Sequence, residues 1–223
     1  APIPRGHCTY GSNMSGEELM NALQTATRQS GAQVLTQTTV RRLLVDAADA
    51  VVGVECFVLP VGHELTARHQ KLSQSIPTWR NFAPVRAQAM RNEQAQIEQQ
   101  LIDSGAAKPM LIRARKGVVL ATGGFIYNLE MVAKHAPHFG AAFLLGAAGC
   151  DGSGIRLGQS VGAATGQMHN FSGWRFITPP VVWPRGIVVN AQGARFCNEQ
   201  VYGERLGHEM MEHQGGKAWL ILD

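Results

Sequence analysis

The run Gly117-Val-Val-Leu-Ala-Thr-Gly-Gly-Phe125 constrains this chain more than any other stretch. A segment apolar at consecutive positions has no solvent face, so as a strand it belongs in a parallel sheet covered on both sides. Such strands end at the crevice where α/β folds bind ligands, and paired glycines there let another group come close to the backbone. The pattern predicts a parallel strand over 117–121. Its C-terminal end is expected to face the same cleft as a second glycine-rich stretch, Gly149-Cys-Asp-Gly-Ser-Gly154, which opens a helix over 152–163. Glycines at a helix N-terminus present backbone N–H groups to an anion such as a pyrophosphate, helped by the helix dipole. Asp151 and Ser153 have the chemistry to hydrogen-bond the hydroxyls of a ribose or ribityl chain. The same residues also read as tight turns and nothing more, and both readings stand at this point.

Elsewhere the period alternates between that of strands and that of helices. Ser15, with Glu18 three residues on, forms a capping box for a helix over 15–29, and Leu19, Leu23 and Ala26 recur at helical spacing before Gly31. Residues 33–36, 40–46 and 51–59 are rich in Val, Leu and Thr and read as strands. Within the third, Val52, Val54, Cys56 and Val58 share one face. Strand character returns at 110–115, which predicts a small antiparallel sheet of 40–46, 51–59 and 110–115. The block 60–108 between them is polar and rich in Gln and Ala. It reads as a solvated helical excursion of two helices, 63–75 and 84–104, joined by Ile76-Pro-Thr-Trp79. Pro84 suits the first turn of the second helix, where Val85, Ala89, Ile97 and Leu101 make a thin apolar stripe. Further on, the pattern predicts helices over 128–135 and 202–213, strands over 186–190 and 218–222, and a turn at Gln192-Gly193.

Composition excludes several classes. The net charge is +4 over 223 residues, with Lys and Arg spread along the chain. A nucleic-acid partner would need a denser basic stripe. No apolar run reaches the ~20 residues of a membrane span, and the N-terminus lacks a signal-peptide pattern, so the expectation is a cytoplasmic protein. Cys8, Cys56, Cys150 and Cys197 form no CxxC pair, which favours reduced thiols over a disulfide framework or a zinc site. His208 and His213 read as surface residues, not as a metal pair.

Three stretches then come in an order that carries a resemblance: 117–125, Asp151-Gly-Ser-Gly-Ile-Arg-Leu-Gly-Gln-Ser-Val-Gly-Ala163, and Gly186-Ile-Val-Val-Asn-Ala-Gln-Gly-Ala-Arg-Phe-Cys-Asn-Glu199. Together they resemble the FAD-dependent fumarate reductase/succinate dehydrogenase flavoprotein superfamily, the 3-ketosteroid dehydrogenase branch most of all. The helix and strands before residue 59 are similar to the helix and β-meander of the same family. The resemblance implies an α/β fold. It comprises part of a Rossmann-like FAD-binding domain with a β-meander (1–59 and 109–175), a helical insertion (60–108) and the start of an α+β capping domain (176–223). It implies FAD as cofactor, a small-molecule substrate, and hydride transfer between the flavin and a carbonyl-activated C–C bond. Carried over residue by residue, the backbone of Val40 meets the adenine, and Ala121, Thr122, Gly123 and Gly124 lie beside the adenosine half. Asp151, Gly152, Ser153 and Gly154 stand at the family's Thr-Gly-Asp-Gly turn, with Ser153 in place of the flavin-contacting Asp.

The departures shape further expectations. The family's first strand and its Gly-x-Gly-x-x-Gly loop have no counterpart before Gly31. The chain therefore reads as an internal fragment that binds no FAD by itself and self-associates through an exposed sheet edge. True fumarate reductases carry a proton-donating Arg four residues after the Asn-Glu pair, where this chain has Gly203, which disfavours fumarate reduction. Tyr202, with Arg205 nearby, is the candidate base of a steroid-type dehydrogenase, and its alternative is a packed residue at a helix start. A cofactor-free, non-catalytic module is the competing class. A nicotinamide-dependent Rossmann enzyme would need a glycine fingerprint and a following acidic residue, and both are missing.

Overall fold

A computed structural model describes residues 15–140, 146–147, 149–171, 186–199 and 203–222. The chain divides into two compact units, residues 1–38 and 39–223. In the first, α1 (Ser15–Gln29) carries Glu17 and Glu18 in its opening turn and Arg28 in its last, the order the helix dipole favours. The cap expected of Ser15 rests on a side chain outside the described residues. Residues 33–36 are not a strand: they have no ladder partner among the described residues, and Val34 is 62% exposed. Branched side chains alone do not make a strand without a neighbour to pair with.

The second unit is built on a three-stranded sheet in the order β1 (Thr38–Val45), β2 (Val51–Val58), β3 (Lys108–Arg113). Asp46 turns the chain between β1 and β2, accepting from the N–H groups of Ala48 and Ala50 through Oδ1. β2 pairs antiparallel with β3 from Gly53 opposite Arg113 to Val58 opposite Lys108, which bears out the predicted meander. Gly53 is required by this pairing, because a Cβ there would collide with the carbonyl oxygen of Ile112. Arg42 reaches across the sheet to Glu55 at 2.5 Å.

Between β2 and β3 the chain leaves for a helical hairpin, α2 (Glu64–Phe82) and α3 (Pro84–Asp103). Residues 76–79 are not the expected linker, since α2 runs through Pro77. A proline inside a helix costs a hydrogen bond, but Ile76 beside it is only 1% exposed and anchors that turn. Pro84 takes the first position of α3 as predicted. The stripe differs from expectation: Ala87, Ile97 and Leu101 are buried, whereas Val85 is 84% exposed and Ala89 is also exposed. Nor is the hairpin merely solvated. Ile97 and Leu101 form a core with Leu59 and Ala107 at the two points where the chain enters and leaves it. Arg41 of β1 pairs with Glu98 of α3 at 2.9 Å, and Arg68 of α2 pairs with Glu93 of α3.

Beyond β3, residues 117–121 form no strand. No described residue pairs with them, Val119 is 89% exposed, and Gly117 enters with φ +143°. The apolar run has the composition of a doubly covered strand, but among the described residues there is no sheet to receive it. Asn128 caps α4 (Leu129–His135) by accepting from the Met131 N–H. A 3-10 turn, Pro137–Phe139, follows, and Phe125, Phe139 and Phe171 gather with ring centroids 5.1 and 5.2 Å apart. α5 (Ser153–Gln159) is shorter than predicted. A second, two-stranded sheet pairs β4 (Ile187–Val189) antiparallel with β5 (Trp219–Ile221), covered by α6 (Gly203–His213) through Val188, Leu206 and Met210. His138 of the 3-10 turn meets Glu212 of α6 at 2.9 Å.

Candidate functional site

The two glycine-rich turns come together. The Gly152 N–H donates to the Gly124 carbonyl at 3.0 Å. A Cβ at Gly154 would run into the Thr122 hydroxyl and lie 2.9 Å from Thr122 Cβ and Cγ2. A Cβ at Gly123 would lie 2.7 Å from Cys150 Sγ, and one at Gly152 2.5 Å from Met131 Sδ. Gly152 also holds φ +78°, a left-handed conformation that glycine adopts without cost. Gly123, Gly152 and Gly154 are therefore packing glycines that let α5 sit directly on residues 122–124.

Gly124 is different. Its φ is ordinary and a Cβ there would meet no atom of the described residues within 4 Å, so no described neighbour explains the glycine. Residues 121–124 are exposed, and their N–H groups donate to no described residue. This stretch is an open backbone edge suited to a polar ligand. The neighbouring turn offers less than its sequence suggests. The Asp151 N–H donates to the Gly149 carbonyl, and one Asp151 carboxylate oxygen accepts from the Ser153 N–H at 2.9 Å. With the Gly152 N–H also engaged, three amides expected to face an anion are used within the chain.

The structure thus gathers Thr122, Gly123, Gly124, Asp151, Gly152, Ser153 and Gly154 into one place. Ala121 belongs to the same exposed edge. Val40 lies half-buried in β1 and makes no hydrogen bond or ring contact with the turn pair among the described residues. Tyr202 lies outside the described residues. Arg205 is held by Glu209 on its own helix at 2.5 Å, with its side chain 64% exposed.

Sequence reasoning missed a second constellation. Glu199, 5% exposed, accepts from the Val188 N–H at 2.8 Å and from both Nε and Nη2 of Arg195. The Arg195 guanidinium holds the Glu199 carboxyl below the usual carboxylate range, with help from the Val188 N–H. Burial, and then the nearby Glu199 charge, pushes the Cys197 thiol up. Asn190 accepts from the N–H groups of Gln192 and Ala194 and closes the turn predicted there. This network ties residues 195–199 back onto β4. Its only sequence signal was the Arg-x-x-x-Glu spacing. Cys56, Cys150 and Cys197 are free thiols, and Cys8 lies outside the described residues. Among the described residues no His, Cys, Asp and Glu grouping could hold a metal, and no helix is long and apolar enough to cross a membrane. His208 and His213 are exposed, with rings edge to face at 6.2 Å.

A family model described as FAD binding domain matches residues 4–223. Over all 223 residues the chain is 44% identical to 3-oxo-5-alpha-steroid 4-dehydrogenase of Comamonas testosteroni and covers 41% of it. Over 143 residues, 54% of this chain, it is 36% identical to 3-oxosteroid 1-dehydrogenase of Mycobacterium tuberculosis, covering 25% of that protein. Among solved structures, 3-ketosteroid-Δ4-(5α)-dehydrogenase of Rhodococcus jostii RHA1, in complex with 4-androstene-3,17-dione, matches with a TM-score of 0.69 at 26% identity. That match covers 99% of this chain and 37% of that one. The open conformation of a flavocytochrome c3 fumarate reductase shares the fold at a TM-score of 0.53 and 20% identity, over 97% of this chain and 31% of that one. The chain thus spans less than half the length of each of these relatives.

Proposed function

The chain belongs to the FAD binding domain family, and from that membership we propose that its residues hold the adenosine side of FAD in a 3-ketosteroid dehydrogenase. The observation that carries the reading is the open edge at 121–124, with a glycine at 124 that no described residue packs against. There the free N–H groups would hold polar atoms of the cofactor, and Gly124 leaves the room that a side chain would take. Asp151 keeps one carboxylate oxygen for a hydroxyl of the cofactor, and the Ser153 hydroxyl stands ready as donor or acceptor. Val40 would offer its backbone to the adenine.

FAD, when bound, supplies the hydride acceptor. The substrate is a steroid whose saturated C–C bond is activated by the adjacent ketone. One carbon gives up a hydride and its neighbour a proton, leaving a double bond conjugated to the carbonyl. Tyr202 is the proposed acceptor of that proton. Arg205, three residues on, would favour the phenolate, although its pairing with Glu209 offsets part of that charge. Fumarate reduction is the weaker alternative, because Gly203 has no proton to give where the reductases carry an arginine.

The division into FAD-binding parts, helical insertion and capping part belongs to the same proposal, as does self-association through an exposed sheet edge. A Rossmann-like core further requires a ladder partner for 117–121. The test is an FAD titration followed by flavin fluorescence, then anaerobic addition of a saturated 3-ketosteroid or of succinate. In a protein that supplies a pyrophosphate-binding loop alongside these residues, steroid is expected to bleach the flavin band and succinate is not. Bleaching by succinate alone, or no flavin uptake with the loop present, would overturn the reading.

A further inference from the structure

We propose that Arg91, on the helical insertion, is a positioning residue that buttresses the paired turns 122–124 and 150–152 through Tyr127. The guanidinium carbon of Arg91 lies 3.5 Å over the centre of the Tyr127 ring. Arg91 Nε is buried and has no hydrogen-bond partner among the described residues, so this end of the cation is shielded from water beside the ring. A cation over an aromatic face is held more firmly when it is desolvated. Tyr127 is 8% exposed and works as a clip across the loop before α5. Its hydroxyl donates to the Gly146 carbonyl at 3.1 Å, and its N–H donates to the Cys150 carbonyl at 3.0 Å. The next residue, Asn128, donates through Nδ2 to the Asp151 carbonyl at 3.1 Å. Cys150 and Asp151 lead directly into Gly152, whose N–H holds the Gly124 carbonyl.

A continuous chain of contacts therefore runs from α3 to the open edge. Arg91 fixes the Tyr127 ring, Tyr127 fixes Gly146 and Cys150, and Cys150 and Asp151 lead to the Gly152 amide that orients Gly124. The far end of α3 is anchored on the sheet by Glu98, Ile97 and Leu101. The insertion thus acts as a strut between the meander and the turns. Its relevance to a cofactor rests on the FAD reading above; the strut itself does not.

The experiment is amide hydrogen exchange on the 223-residue chain without FAD, comparing wild type with Arg91→Met and Arg91→Lys. Methionine keeps the length and loses the cation, whereas lysine keeps a cation for the ring. In Arg91→Met, exchange at Tyr127 and Gly152 is expected to accelerate about tenfold or more, the size set by losing a desolvated cation–π contact. The β2–β3 ladder amides, such as those of Cys56 and Ile112, are expected to keep their wild-type rates. Arg91→Lys is expected to recover most of the protection. Two results would overturn the proposal: unchanged exchange at Tyr127 and Gly152 in Arg91→Met, or acceleration spread evenly over the β2–β3 ladder. Should Arg91→Met fail to fold, wild-type protection in Arg91→Lys supports the strut, and loss of protection confined to Gly152 and Tyr127 in Tyr127→Leu tests it independently. A protein that never quenches FAD fluorescence defeats the cofactor reading and leaves the exchange pattern to judge the strut.

Discussion

Replacing Gly154 with alanine places a methyl group where Thr122 already stands. The new Cβ would overlap the Thr122 hydroxyl and lie 2.9 Å from both its Cβ and its Cγ2, so no rotation of the threonine relieves the clash. The backbones of α5 and residues 122–124 must part, which strains the 3.0 Å bond from the Gly152 N–H to the Gly124 carbonyl. Overpacking of this kind costs about 1–3 kcal/mol, and the absence of a rotamer escape puts the cost at the upper end, about 2–3 kcal/mol. For a chain of this size that lowers the melting temperature by roughly 4–12 °C. The assay is thermal unfolding of wild type, Gly154→Ala, Thr122→Gly and the double variant as a cycle. Thr122→Gly removes all three clashing atoms, so the double variant should melt close to Thr122→Gly alone. A Gly154→Ala protein that melts with wild type would refute the claim that this glycine serves close packing. A double variant showing the full added loss would place the cost somewhere other than Thr122.

Three other outcomes follow from the geometry. Gly124→Ala should leave the melting temperature within about 1 °C of wild type, because its Cβ meets no described residue, while weakening FAD uptake in a fluorescence titration. Leu101→Ala should cost about 2–5 kcal/mol in urea unfolding, since Leu101 is 1% exposed in the core joining hairpin and sheet. Glu199 titrates below its ordinary value when folded, so its contribution is present above the unfolded pKa and is lost as pH falls through the folded one. Glu199→Gln should therefore be less stable than wild type at neutral pH, and the gap should close on acidification. A gap that persists into strong acid would show that charge is not what Glu199 contributes.

The parts legible in the sequence are those decided locally. Richness in Val with a shared face of Val52, Val54, Cys56 and Val58 marked β2, Pro84 marked the first turn of α3, and the helical pattern over 128–135 marked α4. The meeting of the two glycine turns was legible for a related reason, since paired glycines imply a close approach even before the partner is known. What could not be read depends on partners distant in the chain. The run 117–121 has strand composition, but whether it becomes a strand is decided by a neighbour and not by its own residues. Residues 33–36 failed in the same way. Of Gly123, Gly124, Gly152 and Gly154, three pack against Cys150, Met131 or Thr122 and Gly124 stands open among the described residues, a distinction that spacing cannot carry. The Arg91–Tyr127 contact spans 36 positions and the Glu199 network joins β4 to the segment after it, so neither leaves a periodic trace.

The hairpin α2–α3 leaves the sheet beside Val58 and returns at Lys108, and those two residues face each other across the β2–β3 ladder. Entry and exit are therefore about as close as the ends of a tight turn. Closing a loop over so short a gap costs entropy only logarithmically in its length, so the sheet bears the long excursion almost as easily as a short one. The dependence is one-sided. The meander holds its register through its own ladder, whereas α3 needs Leu59, Ala107 and Arg41 to stay in place. In engineering terms, 60–107 is a detachable graft on a hairpin: a two-residue turn could replace it, leaving the strands paired and withdrawing the arm that reaches Tyr127.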